Sequence, residues 1–218
     1  PLLFVATTAS TDPRASSADR PITRDTPLGP RTHYAWTKAC GEMYARWAGP
    51  EETLLARPCF AYGGASDSMS NVSKLLRQAA GHPGYEDLEL TVSPDSLKDY
   101  TWQEDVSRAI AVLSIWPSEW RIFMRYVNIA AGFPLPTREV VEAVERVTGV
   151  PSRVRYRPDL DYMGDHVMEV GRIWDWLDQG PVSLEEGIAS AWEDIRSAEP
   201  RTVHELGPHP LTCMENDR

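Results

Sequence analysis

Apolar and polar positions fall along this chain in blocks that read in turn as strand, loop and helix. Leu2-Leu3-Phe4-Val5-Ala6 is an unbroken apolar run, the pattern of a buried strand, and it empties into the hydroxyl residues Thr7, Thr8, Ser10 and Thr11. A polar loop bearing Pro21, Pro27 and Pro30 follows, and an amphipathic run ending near Trp47 predicts a helix over 34–48. A second strand is predicted over 53–57, where Thr53-Leu54-Leu55-Ala56-Arg57 runs through Pro58 into Cys59-Phe60-Ala61-Tyr62-Gly63-Gly64. Near the far end, Ser183 stands three residues before Glu186, the spacing of a capping box that opens a last helix. Strands alternating with helices place the chain in the α/β class, and periodicity alone carries the reading no further.

Composition narrows what such a chain can be. With 218 residues, 42% hydrophobic and 25% charged, it is long enough for one core and an appended lobe. No apolar run approaches the ~20 residues needed to span a bilayer, and no signal-peptide pattern opens the chain. The formal net charge of −10 argues against nucleic acid, so anionic groups on a substrate would be held by local Arg side chains. Cys40, Cys59 and Cys213 are odd in number and lack metal-ligand spacing, which predicts reduced thiols in a cytoplasmic protein. His33, His82, His166, His204 and His209 are scattered singly, so no metal site is expected. Asp159, Asp161 and Asp165 lack the flanking pattern of a calcium loop and read as a solvated loop. Trp116, Trp120, Trp174 and Trp176 read as packing residues.

Candidate chemistry centres on His33-Tyr34-Ala35-Trp36-Thr37-Lys38. A Tyr and a Lys four apart on a helix project from one face, a turn apart. An ammonium beside a phenol favours the phenolate and brings the phenol toward use as an acid and base near neutrality. The spacing alone is a weak signal, since a solvated Tyr and Lys share it.

Its neighbours strengthen it. A strand ending in Thr, a Pro-bearing loop, Tyr34-x-x-x-Lys38 and a strand ending Arg57-Pro58-x-x-x-Tyr62-Gly63 together resemble the extended short-chain dehydrogenase/reductases, the NAD-dependent epimerase/dehydratase group. Lys98-Asp99-Tyr100-Thr101-Trp102-Gln103-Glu104-Asp105 is similar to that group's Arg-Asp-aromatic strand and acidic helix start, with Asp105 expected to accept from free N–H groups there. Arg125–Ala130 resembles a late strand near 126–129, and Pro136–Thr148, ending at Gly149, the helix after it.

The resemblance implies an α/β fold: the C-terminal part of a Rossmann-type parallel sheet, helices near 34–48 and 104–116, and a smaller substrate-binding lobe. Residues 1–62 and 98–149 would form the second half of the cofactor domain, 63–97 and 150–195 the lobe, and 196–218 a loosely ordered tail. No Gly-rich dinucleotide turn occurs in the sequence, and the chain opens directly on what the resemblance makes a middle strand. A C-terminal piece of a longer protein is therefore expected, with unpaired apolar surface that would favour self-association, including a homodimer.

The resemblance further implies an NAD(P)-dependent epimerase or reductase, acting on a hydroxyl or carbonyl of a sugar-nucleotide-like or other small polar substrate. A non-catalytic remnant or interaction module is the alternative. Tyr34, Lys38 and Thr8 would be catalytic; Thr8 lies 26 residues before Tyr34, with Thr7 and Ser10 as runners-up. Tyr34, Lys38, Pro58 and Cys59 would meet NAD or NADP, and Thr8, Phe60 and Lys98 the substrate. Ala9-Ser10 after Thr8 disfavours a 4,6-dehydratase, which carries Asp-Glu there. Phe60 in place of Asn, and Lys98 in place of Arg, weaken a nucleotide-diphosphate substrate.

Overall fold

The structure, a computed structural model, describes residues 2–67, 69–117 and 125–198. The first apolar run forms β1 (Leu3–Val5), shorter than the run itself, which spans 2–6. The hydroxyl residues beyond it bond to their own backbone instead of extending the strand. Thr7 Oγ1 accepts from the Ala9 N–H, while Ser10 and Thr11 donate to the Thr7 and Thr8 carbonyls, winding Thr8–Ser10 into a 3-10 turn. Helix α1 (His33–Ala48) starts where the Thr32 hydroxyl accepts from the Ala35 N–H at 3.1 Å, and it stops at Gly49-Pro50. The chain then returns as β2 (Leu54–Pro58), parallel to β1, with Leu3 beside Leu54 and Val5 beside Ala56.

Beyond this crossover lie β3 (Ala61–Tyr62), α2 (Asn71–Ala79), β4 (Leu88–Leu90), β5 (Leu97–Lys98), β6 (Thr101–Trp102) and α3 (Gln103–Ser114). They are followed by β7 (Tyr126–Ile129), β8 (Leu135–Pro136), α4 (Thr137–Thr148), β9 (Val154–Tyr156), α5 (Ile173–Trp176) and α6 (Leu184–Ser197). The central sheet is parallel, in the order β1-β2-β7. Among the described residues no strand pairs with the outer edge of β1. β3 and β6, and β4 and β9, form short parallel pairs, and β5 lies antiparallel to β8.

Alternation along β2 sends its side chains to opposite faces. Leu54 and Ala56 join Val127 and Ile129 of β7 against Val106, Ala109 and Leu113 of α3. Arg57 points the other way, to Glu42 of α1: its Nε and one terminal nitrogen donate to the two carboxylate oxygens at 3.1 and 2.5 Å, with both side chains at most 1% exposed. The Tyr126 ring stacks 4.7 Å from the Arg57 guanidinium. Gly41 lets α1 settle on Phe4 of β1, since a Cβ there would lie 2.6 Å from that ring. Helices thus cover both faces of a parallel sheet, the Rossmann-type arrangement expected.

α1 is inverted relative to an ordinary surface helix. Its inner face carries Ala35, Ala39, Glu42 and Ala45, while Trp36, Met43, Tyr44 and Trp47 are 56–84% exposed. A second core gathers α2, α4 and α6 around Val72, Leu76, Val140, Val144, Ile188 and Ile195. α4, grouped by sequence with the sheet, packs with these two helices. It ends in the left-handed Gly149 (φ 71), and the Ser183–Glu186 capping box opens α6. Trp116 and Trp176 meet edge-on at 4.2 Å, and Trp174 Nε1 donates to the Ala130 carbonyl at 2.9 Å. Trp120, His204, His209, Cys213 and the tail from residue 199 onward lie outside the described residues.

One expected cap is absent. Asp105 sits inside the first turn of α3, and its carboxylate reaches outward, accepting from the Val182 N–H at 2.8 Å and from Arg108. It braces the segment before α6 instead of the start of its own helix.

Glu42→Ala would leave the Arg57 guanidinium buried without its counter-charge, so a loss of about 3–5 kcal/mol is expected. A Glu42→Leu/Arg57→Met pair, which removes both charges, should lose less. Urea unfolding midpoints of the two variants check the order.

Candidate active site

The Tyr34–Lys38 pair stands at the C-terminal end of β1, where α1 packs over the Thr8 turn. Lys38 Nζ donates to the Val5 carbonyl at 3.3 Å and lies 5.9 Å from the centre of the Tyr34 ring. Tyr34 is 43% exposed, so its phenol is open to a ligand. Thr8 is buried. Of the hydroxyls after β1, Ser10 and Thr11 are committed as donors to backbone carbonyls, and Thr7 accepts from the backbone. The Thr8 hydroxyl lies beside the Cys59 thiol, where burial raises the thiol pKa and the hydroxyl lowers it; the thiol is a weak partner that a substrate oxygen can replace.

Pro58 and Cys59 end β2. Pro58 is partly exposed, while Cys59 is sealed, its N–H donating to the Ile129 carbonyl at 2.9 Å. Burial, reinforced by the nearby Asp99, pushes the Cys59 thiol up and keeps it protonated. Phe60 follows with φ 31, a backbone state rare for a residue bearing a Cβ and costing on the order of 1–3 kcal/mol. Its ring packs 5.8 Å from Tyr100 and 5.5 Å from His166, with the Lys98 ammonium 5.6 Å from its centre.

Lys98 turns inward and is wholly buried. Its Nζ donates to Asp161 at 3.3 Å and to the Gly164 carbonyl. Burial lowers its pKa, and the Asp161 and Asp165 carboxylates oppose that shift. Two members of the acidic trio expected in a solvated loop are therefore structural. Asp161 accepts from the Ser93 N–H at 2.9 Å as well as from Lys98, and Asp165 accepts from the Leu97 N–H at 2.9 Å. Burial works against the charge on Asp161, yet the Ser93 N–H and Lys98 hold its carboxyl below the usual value. Asp159 stays exposed, paired with Arg157.

Three further residues shape the site. Glu42 lies one turn beyond Lys38, and continuing the 34–38 spacing along α1 would have pointed to it. Asp99, also buried, accepts from the Gly132 N–H at 3.0 Å and is pushed up to about 6 by burial, against the pull of the Gly132 and Ala131 N–H groups. His166, 1% exposed, has Nε2 3.2 Å from the Thr8 carbonyl and Nδ1 3.4 Å from that of Met163. Burial pushes it down to about 4. Asp99 belongs to the Lys98-Asp99-Tyr100 motif, though its role is not legible there, and no local sequence signal marks His166; the partners of both lie far along the chain.

The family model for the NAD dependent epimerase/dehydratase family matches residues 2–120. A dTDP-4-dehydrorhamnose reductase of Streptomyces griseus is 33% identical over 97 residues, 44% of this chain and 30% of the reductase. Among solved structures, RMD from Pseudomonas aeruginosa complexed with NADPH superposes at TM-score 0.69 with 20% identity, covering 90% of this chain and 66% of that one. The UDP-glucose 4-epimerase of Thermus thermophilus, in complex with NAD, gives TM-score 0.71 and 21% identity, covering 91% and 64%. The chain thus spans just under two thirds of these solved relatives and under a third of the curated one.

The buried imidazole makes acid stability predictable. Unfolded His takes its proton near 6.5 and His166 in the fold only near about 4, so the unfolded chain binds more protons between those values. Its contribution to stability is complete above ~6.5 and is lost as pH falls to ~4, on the order of 3 kcal/mol. Asp99 runs oppositely, because its raised carboxyl favours the fold below about 6 and that contribution is lost as pH rises through that value. Urea unfolding compared between about pH 7 and about pH 4.5 should show a shallower acid loss in His166→Phe than in the wild type, and a steeper one in Asp99→Asn.

Proposed function

The chain belongs to the NAD dependent epimerase/dehydratase family, and from that premise we propose that the whole protein is an NAD(P)-dependent oxidoreductase or epimerase. Its substrate would present a hydroxyl or carbonyl on a sugar-nucleotide-like or other small polar molecule. One observation carries the reading: α1 sets Tyr34, open to a ligand, and Lys38 against the C-terminal end of β1, where Thr8 lies. Crevices at the C-terminal ends of parallel strands are where ligands bind in such sheets. The relatives support the class, being named a dTDP-4-dehydrorhamnose reductase and a UDP-glucose 4-epimerase.

The residues present fit the nicotinamide end of the cofactor. Among the described residues Lys38 has one hydrogen-bond partner, the Val5 carbonyl, so two of its N–H donors can meet ribose hydroxyls. Tyr34 is exposed beside it, and Pro58 offers partly exposed surface at the end of β2. Cys59 can contribute only through its backbone, because its side chain is sealed.

When bound, the nicotinamide supplies the hydride donor or acceptor. Tyr34 moves the proton: it gives its phenolic hydrogen to the oxygen that becomes a hydroxyl in reduction, and takes it back in oxidation. The Lys38 ammonium stabilises the phenolate left behind. The Thr8 hydroxyl holds the same substrate oxygen and orients it toward Tyr34. Ala9-Ser10 stands after Thr8 where a 4,6-dehydratase carries its acidic pair, which favours reduction or epimerisation over dehydration.

In the full-length protein, Tyr34→Phe should cut turnover by ~10²–10⁴-fold while cofactor affinity stays near that of the wild type. Suitable probes are dTDP-4-dehydrorhamnose with NADPH and UDP-glucose with NAD. Lys38→Met should lose turnover and cofactor affinity together. Wild-type turnover in Tyr34→Phe would overturn the assignment.

A further inference from the structure

Thr8 lies beyond the end of β1, in a short turn rather than in the sheet. β1 ends at Val5, and the 3-10 turn that follows is tied through the Thr8 carbonyl, which accepts from the Thr11 N–H at 3.0 Å and the Thr11 hydroxyl at 2.7 Å. Both of those donors are on Thr11, three residues along the same turn. At its far end the turn is held by the Gly29 N–H, which donates to the Ser10 carbonyl at 3.0 Å, and by pairing of Thr11 with Leu28. The contact from another segment on the Thr8 carbonyl itself is His166, whose Nε2 lies 3.2 Å away.

His166 is itself firmly seated. Its ring meets Phe60 edge-on at 5.5 Å, and its backbone N–H donates to the Leu97 carbonyl at 2.7 Å. Lys98 anchors the preceding turn through Asp161 and Gly164. Just after it, the Val167 N–H donates to the Ser16 hydroxyl at 3.1 Å, and the Val167 carbonyl accepts from the Ile22 N–H at 2.7 Å.

The geometry points to His166 as a positioning residue: its Nε2–H, donated to the Thr8 carbonyl, fixes the turn that aims the Thr8 hydroxyl at the substrate oxygen. This rests on the reading of Thr8 as the group that holds that oxygen. A neutral imidazole carries one N–H, and burial keeps His166 neutral. The Thr8 and Met163 carbonyls face the two ring nitrogens, and we place the hydrogen on Nε2, the nitrogen with the shorter contact. Without His166 the Thr8 carbonyl keeps, among the described residues, only its Thr11 donors, and a small rotation of that peptide carries the Cα–Cβ bond with it. A displacement of about 1 Å at a reacting group can cost ~10²-fold in rate, so a small rotation is enough.

Two measurements test this. In the protein labelled with ¹⁵N-histidine, NMR should show His166 protonated at Nε2 and bare at Nδ1; the opposite tautomer overturns the proposal without reference to any activity. In the full-length enzyme, His166→Phe keeps the ring stack on Phe60 and removes the N–H. It should lower kcat about five- to tenfold, the worth of one neutral hydrogen bond, with KM and cofactor affinity unchanged. His166→Gln, which keeps an N–H donor, should recover most of that loss. In a Thr8→Ala background His166→Phe should cost nothing more, because there is no hydroxyl left to aim. An equal loss in both backgrounds would show that His166 only supports the fold. If His166→Phe fails to fold, His166→Leu gives the same cycle. Thr8→Ala turning over at the wild-type rate would instead sink the reading of Thr8, a result separable from additivity of the two substitutions.

Discussion

Glu42 and Arg57 are both removed from water, and each buried ion carries a desolvation cost of several kcal/mol. Two hydrogen bonds between fork and carboxylate, with the Tyr126 ring against the guanidinium, offset that cost. The pair fixes how far along β2 the helix α1 lies and which of its faces looks inward. Tyr34 stands eight residues before Glu42, about 12 Å along the helix axis. The proposed proton donor is therefore held at a set height above the end of β1 by a contact two turns away.

A second polar network joins the loops at the strand ends. Lys98 and Asp99 are neighbours in sequence but reach in different directions. Lys98 holds the Asp161–Gly164 turn, which carries His166 to the Thr8 carbonyl beyond β1, while Asp99 holds Gly132 beyond β7. Phe60, beyond β2, packs against Lys98 and His166 in a strained backbone state. The rim of the sheet is thus built as one piece, with its charges neutralised inside the protein. For that reason Lys98 resists reading as a surface anchor for a substrate.

What could be read from sequence and what could not divide along chain distance. The strand ending in Thr8, the Tyr34–Lys38 helix, the Arg57-Pro58 strand and the Ser183–Glu186 cap are each encoded within a few residues. All of them form, though β1 is cut short where hydroxyl side chains take over the backbone bonds. Asp161 and Asp165 looked solvated because their partners, Lys98 and the Leu97 N–H, lie more than sixty residues away. Asp105 looked like a cap because nothing nearby announces the Val182 N–H. His166 showed no pattern at all, its contact with Thr8 spanning 158 positions.

The inverted faces of α1 carry a consequence of another kind. Hydrophobicity alone would roll this helix to bury Trp36, Met43, Tyr44 and Trp47, and the burial it forgoes is worth roughly 1.5–3 kcal/mol for each large apolar side chain. An ion pair and a glycine-lined approach to Phe4 set the opposite roll. The outer aromatic face takes no part in aiming Tyr34 and Lys38. Mutation can therefore remodel what that face meets while leaving the chemistry on the other side of the helix untouched.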